Sequence, residues 1–190
     1  DESAQRRLLH DVAFMSTVGM RPIIVHGGGS DVTEIAAKLG IATTFIDGQR
    51  YTDAPTMEVV QMVLAGKTNK NIVAEINRHH GNAVGICGID GDLLKVRKLE
   101  SGGHDLGLVG EIVNVNTAYL SLLMRNGMLP VIAPIGVDDM GQAYNINADT
   151  VAAAIAAEMK AAKLVLLTEA PGILRDRNDL KSVIAQIKRD

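Results

Sequence analysis

Tryptophan is missing from all 190 residues, and aromatic side chains make up only 3% of them. That scarcity argues against a platform on which successive bases of single-stranded nucleic acid could stack. Cysteine is nearly missing too, with Cys87 alone in the chain. One thiol forms no internal disulfide and builds no zinc site of several thiolates, so a reducing compartment is expected. There is no cationic excess: 19 Lys and Arg stand against 22 Asp and Glu, giving a net charge of -3 and a pI near 6.0. This balance argues against broad electrostatic binding to nucleic acid or to an acidic membrane. No apolar run approaches the about 20 residues that a membrane span requires. An initiating Met and a signal peptide are also missing. The chain opens at Asp1 inside a helical pattern, which predicts that the true start lies upstream.

What is present describes an ordinary globular chain. Hydrophobic residues are 47% and charged residues 22% of the sequence, enough to bury a core and too apolar for a disordered state. The length suits one domain, residues 1–190, with no linker long enough to divide it and no internal repeat. Short β-branched runs alternate with longer helical stretches, which predicts an α/β protein. Helices are expected over residues 8–15, 30–39, 56–64, 69–78, 117–125, 148–159 and 180–188. Ser30 or Asp31 would cap the second of these. Core strands are expected at 22–25, 83–86, 129–132 and 163–167, and antiparallel strands at 93–96 and 111–115. The connection Ser101-Gly102-Gly103-His104-Asp105-Leu106-Gly107 is glycine-rich, and reads equally as a surface loop or a mobile lid.

The strongest local signal is Val25-His26-Gly27-Gly28-Gly29-Ser30, where a strand runs into consecutive glycines and then a helix. Glycine lets backbone amides approach an anion with no Cβ in the way. The helix N-terminus adds unpaired N–H groups and a favourable dipole. A tight turn alone would need fewer than three glycines, so a phosphate or carboxylate cradle is the better reading. The dinucleotide fingerprint G-x-G-x-x-G is not matched. Gly66-Lys67-Thr68 resembles the end of a P-loop, but Gln61 occupies the position where that motif needs glycine. Lys67 and Lys70 are therefore expected to be surface charges or partner contacts.

Two further segments carry polar groups suited to a small acid. In Gly48-Gln49-Arg50-Tyr51-Thr52-Asp53, Arg50 can grip a carboxylate through two parallel hydrogen bonds. Taken by itself it reads better as a solvated charge. In Asn145-Ile146-Asn147-Ala148-Asp149, alternation puts Asn145 and Asn147 on one face, and Asp149 falls at a helix start. One of these residues can serve as an Asx cap, but the trio exceeds what a cap requires. Amide side chains both donate and accept, which suits a substrate with an amide and a carboxylate. The histidines show no metal-ligand spacing, and no G-x-S-x-G elbow is present.

Taken in order along the chain, these motifs and Leu166-Leu167-Thr168-Glu169-Ala170-Pro171-Gly172-Ile173-Leu174 resemble the amino acid kinase family. The nearest likeness is to members that phosphorylate N-acetyl-L-glutamate, particularly the arginine-sensitive ones. The resemblance implies a three-layer αβα sandwich with a mainly parallel central sheet and a β-hairpin lid region. It implies ATP with Mg2+, and transfer of a phosphoryl group to the side-chain carboxylate of N-acetyl-L-glutamate in arginine biosynthesis. Gly28 and Gly29 would donate backbone N–H groups to the phosphoryl group in flight, and Gly27, Gly28 and Gly29 would contribute to substrate binding. Arg50, Asn145 and Asn147 would hold the substrate, and Asp149 would orient catalytic lysines. The family's Lys-x-Gly-Gly segment and its second catalytic lysine are not in these residues, so the nucleotide-binding C-terminal part is expected to be largely absent and the chain alone to turn over little. Glu169 stands where Asp is usual, and Tyr51 where Val is common. A homodimer through the helices near 56–78 is implied, with a hexamer in arginine-sensitive forms and a regulatory protein as further partners. The resemblance places the protein in the cytoplasm, or in the plastid stroma of a photosynthetic eukaryote. Two other readings stay open: a related kinase of glutamate, aspartate or an aminoadipate derivative, and a non-catalytic module that binds an amino-acid derivative.

Overall fold

The chain forms two layers of helix around a parallel sheet, and the alternation of its strand residues shows this directly. The computed structural model describes residues 2–100, 103–168, 172–176, 178–179 and 181–186. Strand β1 (Ile24–Val25) lies parallel to β7 (Leu129–Ala133), which lies parallel to β4 (Ala83–Cys87) on its other side. Ile24, Ala83 and Val131 face one way, against Leu9 and Ala13 of α1 (Glu2–Thr17) and Ile72 and Ile76 of α4 (Asn69–Arg78). Their neighbours Val25, Val84 and Ile132 face the other way, against Leu120 of α5 (Thr117–Arg125) and Val151 and Ile155 of α6 (Ala148–Glu158). Successive strand residues point to opposite faces, so a sheet covered on both sides must be apolar at every position. β7 is the central strand and all five of its residues are buried. Pro130 does not interrupt it and pairs in register with Val84.

A second sheet stands beside the first, in the order β6-β5-β8-β9. The predicted antiparallel hairpin is present as β5 (Leu94–Lys98) and β6 (Gly110–Val115). β8 (Ile135–Val137) continues from the end of β7, and β9 (Ala143–Asn145) returns antiparallel to it. A small hairpin, β2 (Phe45–Ile46) with β3 (Gln49–Arg50), was not legible from periodicity because its strands are two residues long. Its turn uses Asp47 and Gly48, both at positive φ (51° and 81°), the pairing that two-residue hairpins favour.

The predicted helices at 56–64 and 69–78 are one continuous helical rod. α3 (Ala54–Val60) passes into a π-helix (Gln61–Thr68) and then into α4. The N–H of Asn69 reaches back five residues to the carbonyl of Leu64. α2 (Gly29–Lys38) starts one residue earlier than expected, and its N-cap is Gly28, with no side chain capping it. Neither Ser30 nor Asp31 serves as the cap.

Two expected elements do not form. Residues 163–167 make no strand, and Leu164 to Leu167 are solvent-exposed. An apolar run becomes a strand only where a neighbouring backbone supplies ladder hydrogen bonds, and the edge strand β1 offers two residues. Residues 181–186, the described part of the expected last helix, are not helical. There the Ser182 hydroxyl donates to the carbonyls of Asp176 and Asp179, and Val183 bridges Leu174. Short polar side chains bonding to nearby backbone compete with helix, and here they win. Glu169, Ala170 and Pro171 lie outside the described residues.

Candidate substrate and anion site

The glycine turn sits where β1 hands over to α2. Gly28 adopts φ 147° and ψ 25°, a conformation open to glycine, and a Cβ there would meet Leu64 Cδ2 at 2.7 Å. The chain can make this turn only because no side chain stands at Gly28. A cleft of about 640 Å3 opens onto the turn between α1 and the helical rod, lined in part by His26, Gly27, Gly28, Asp31 and Lys67. Lys67 lies 3.2 Å from the Asp31 carboxylate, which also accepts from the Thr68 hydroxyl at 2.9 Å. The Thr68 hydrogen bond first, and Lys67 after it, hold the Asp31 carboxyl below the ordinary carboxylate range. Lys67 is therefore partnered within the chain.

Arg50 reaches this turn from the end of β3. It is only 8% exposed. Its Nη2 donates to the Gly29 carbonyl (2.8 Å) and to Thr33 Oγ1 (2.9 Å), and the guanidinium lies 4.8 Å from the centre of the Phe45 ring. Its Nη1 is buried with no hydrogen-bond partner among the described residues. Burial lowers its pKa, yet an arginine stays charged in a protein. A buried cationic donor without an acceptor is costly, and an anion entering beside the glycine turn would relieve that cost. The reading of Arg50 as a plain solvated charge does not hold.

Asn145 is brought to the same region through Thr52. Asn145 Nδ2 donates to Thr52 Oγ1 (3.3 Å), which donates in turn to the Arg50 carbonyl (3.0 Å). Residues 106–108 thread between these two segments. Thr52 N–H donates to the Leu106 carbonyl, Leu108 N–H to the Thr52 carbonyl, and Asn145 N–H to the Leu108 carbonyl. Gly107 is at φ 71°, and a Cβ on it would overlap the Thr52 carbonyl oxygen. Of the glycine-rich connection, Ser101 and Gly102 lie outside the described residues, while this later part is tied down on both sides.

Asn147 and Asp149 are placed differently. Asn147 is the N-cap of α6, its side-chain oxygen accepting from the Thr150 N–H at 3.1 Å, so the capping reading is the observed one. Asp149 lies exposed in the first turn of α6. Neither is bonded to Arg50 or to the glycine turn.

Sequence reasoning missed the groups beneath the turn. His26 Nδ1 lies 2.7 Å from the Gly27 carbonyl oxygen, and its Nε2 lies 3.1 Å from Asn69 Nδ2. Asn69 is wholly buried and also donates to the Val131 carbonyl at 2.9 Å, while its oxygen accepts from Lys70 Nζ at 3.0 Å. Lys70 is thus engaged within the chain, donating to the Gly85 carbonyl as well (2.8 Å). Desolvation, and to a smaller degree Lys70, push the His26 pKa below its ordinary 6.5, against a raising contribution from the Gly27 carbonyl. A depressed histidine pKa means that the unfolded chain binds the proton more readily. Stability is then full above about pH 6.5 and falls as the pH drops from there toward the folded value, by at most about 1.4 kcal/mol per pH unit. Urea titrations between about pH 5 and pH 7 are expected to show this slope, and His26→Asn to flatten it.

The family model described as "Amino acid kinase family" matches residues 1–190. The acetylglutamate kinase of Brachyspira hyodysenteriae is 49% identical over 183 residues, covering 96% of this chain and 63% of that protein. The acetylglutamate kinase of Moorella thermoacetica is 47% identical over 192 residues, covering 97% of this chain and 65% of that one. The chain thus spans a little under two thirds of the length of these curated relatives. Among solved structures, the N-acetylglutamate synthase of Neisseria gonorrhoeae complexed with coenzyme A and N-acetyl-glutamate superposes with TM-score 0.77 at 26% identity, over 90% of this chain and 39% of that one. The protein smu.665 of Streptococcus mutans superposes with TM-score 0.80 at 25% identity, over 87% and 67% of the two chains.

Proposed function

The chain belongs to the amino acid kinase family, and on that footing we propose that it carries the N-acetyl-L-glutamate site of an acetylglutamate kinase. The observation that carries this reading is the buried, unpartnered Nη1 of Arg50 beside the glycine turn. The α-carboxylate of N-acetyl-L-glutamate is the group Arg50 takes, with Asn145 contributing an amide from beside Thr52. Asn147, its oxygen committed to the helix cap, has its amide N–H groups left to donate. The side-chain carboxylate then lies toward the Gly27 to Gly29 turn.

In the reaction a carboxylate oxygen of the substrate attacks the γ-phosphorus of ATP. The bond from that phosphorus to the bridging oxygen breaks, ADP leaves, and an acyl phosphate remains. Little covalent help is needed, since phosphoryl transfer depends on alignment and on stabilising charge. Backbone N–H groups of Gly28 and Gly29 donate to the transferring oxygens. Asp149 is assigned the orientation of catalytic lysines by family resemblance. Mg2+, which the family resemblance implies, would enter on the triphosphate, supply charge to the transferring group and call for few protein ligands. Among the described residues, no group of three or more His, Cys, Asp or Glu is placed to hold a metal ion.

A homodimer packed through α3, the π-helix and α4 belongs to the same reading, with Met62 exposed on that rod. A monomer by light scattering would remove it. No helix among the described residues is long and apolar enough to cross a membrane, and the reading places the protein in the cytoplasm or a plastid stroma.

Calorimetric titration of the chain with N-acetyl-L-glutamate and with free L-glutamate tests the assignment. Tighter binding of the acetylated ligand is expected. Preference for free L-glutamate would move the chain to another member of the family.

A further inference from the structure

The groups beneath the glycine turn form one connected chain of hydrogen bonds, and its members fix one another's orientation. Lys70 is a donor without lone pairs, so the Asn69 atom that faces it at 3.0 Å must be the oxygen. The Val131 carbonyl only accepts, so the Asn69 atom that faces it at 2.9 Å must be the nitrogen. Both demands agree, and Asn69 is locked. Its Nδ2 then stands 3.1 Å from His26 Nε2, which must accept. The proton of the neutral imidazole is thereby placed on Nδ1, 2.7 Å from the Gly27 carbonyl. Room for any rearrangement is small. A Cβ on Gly85 would overlap Asn69 Oδ1 and come within 2.7 Å of Lys70 Nζ.

The consequence falls on the next peptide. The Gly27 carbonyl and the Gly28 N–H belong to one planar trans unit and point in opposite directions. We infer that His26, held as its Nδ1–H tautomer by Asn69 and Lys70, is a positioning residue that turns the Gly28 N–H into the cleft by pinning the Gly27 carbonyl. This role rests on the proposed anion cradle, and it assigns to a buried histidine what the glycines alone do not secure. Glycine makes the turn possible but leaves it free to take other conformations. The chain from Lys70 through Asn69 and His26 selects one of them and anchors it to the central strand.

The tautomer can be read directly from long-range 1H–15N correlations of the chain at pH 7. A protonated Nδ1 and an unprotonated Nε2 are expected; an Nε2–H tautomer, or an imidazolium, would overturn the inference. Two variants separate pinning from packing. His26→Asn carries an amide N–H at the place of Nδ1, whereas His26→Leu fills space without a donor. Backbone order parameters of Gly27 to Gly29 are expected to stay near about 0.85 in the unmutated chain and in His26→Asn, and to fall toward about 0.6 in His26→Leu. Affinity for N-acetyl-L-glutamate is expected to drop about three- to tenfold in His26→Leu and to change less than about twofold in His26→Asn. Loss of order in His26→Asn equal to that in His26→Leu would also overturn the inference. If the unmutated chain binds no N-acetyl-L-glutamate, the substrate assignment fails, and the tautomer and order parameters still decide the role of His26.

Discussion

Arg50→Ala is expected to weaken N-acetyl-L-glutamate binding by about a hundredfold or more in calorimetric titration. Truncating one partner of a buried, hydrogen-bonded charge pair costs about 2–5 kcal/mol, since the remaining charge is left unpaired. Arg50 is suited to such a pair because one nitrogen is already committed and the other is not. Nη2 is fixed by Gly29 and Thr33, and Phe45 packs on the guanidinium, so Nη1 is held in place before any ligand arrives. Prior fixing reduces the entropy lost on binding. Arg50→Lys is expected to recover little, because a point charge does not reproduce a planar fork. Folding stability should respond differently. The substitution removes two hydrogen bonds and a cation–π contact, but it also removes a buried donor with no acceptor. These contributions oppose one another, and a change within about 1 kcal/mol is expected in urea unfolding. Binding that survives Arg50→Ala within about threefold would take the carboxylate away from this residue.

Gly28→Ala is expected to destabilise the chain by about 2–6 kcal/mol and to remove anion binding with it. Two effects add. A side chain at φ 147° lies in a region reserved for glycine, a strain of about 1–3 kcal/mol. The new methyl would also stand 2.7 Å from Leu64 Cδ2, an overpacking of about 1–3 kcal/mol. The neighbouring glycine provides the contrast. Gly27 has nothing within 4 Å of a built Cβ and no positive φ, so Gly27→Ala should change stability by less than about 0.5 kcal/mol. Urea midpoints of the two variants decide the matter. Adding Leu64→Ala to Gly28→Ala would relieve the overlap but not the backbone strain, so the double variant should not return to the stability of Leu64→Ala alone. Equal midpoints for Gly27→Ala and Gly28→Ala would show that the turn is not the constrained point described.

The large elements were legible because their signals are local. Apolar runs at 22–25, 83–86 and 129–132 became the parallel sheet, and Gly19 and Gly127, both at positive φ, follow the helices they end. Arg50 and the glycine turn were legible as residue types suited to anions. Their meeting was not, since 21 residues separate Arg50 from Gly29 and only tertiary packing brings them together. Asn69 gave no sign of burial, as a single asparagine in a helical pattern looks like surface. Its burial depends on a histidine 43 positions away and a strand 62 positions away. The run at 163–167 misled for the converse reason, because its composition reads as strand whatever lies beside it. The Asn145 to Asp149 motif divided in two, one end facing Thr52 and the other capping α6.

The π-helix bears on how this chain can vary in length. An i to i+5 hydrogen bond encloses one residue more than the i to i+4 bond of an α-helix, so the wide turn takes up an extra residue without swinging the next segment away. Met57 and Val60 before it, and Ile72 and Ile76 after it, all remain buried. The segment behaves as an insertion that has been absorbed. Losing one residue between Gln61 and Thr68 would let the rod close into regular α-helix with Asn69 still facing the sheet. Gaining one on either side of it would instead rotate Asn69 by about 100° away from His26. Relatives that differ in length along this rod should therefore differ within the wide turn and not beside it.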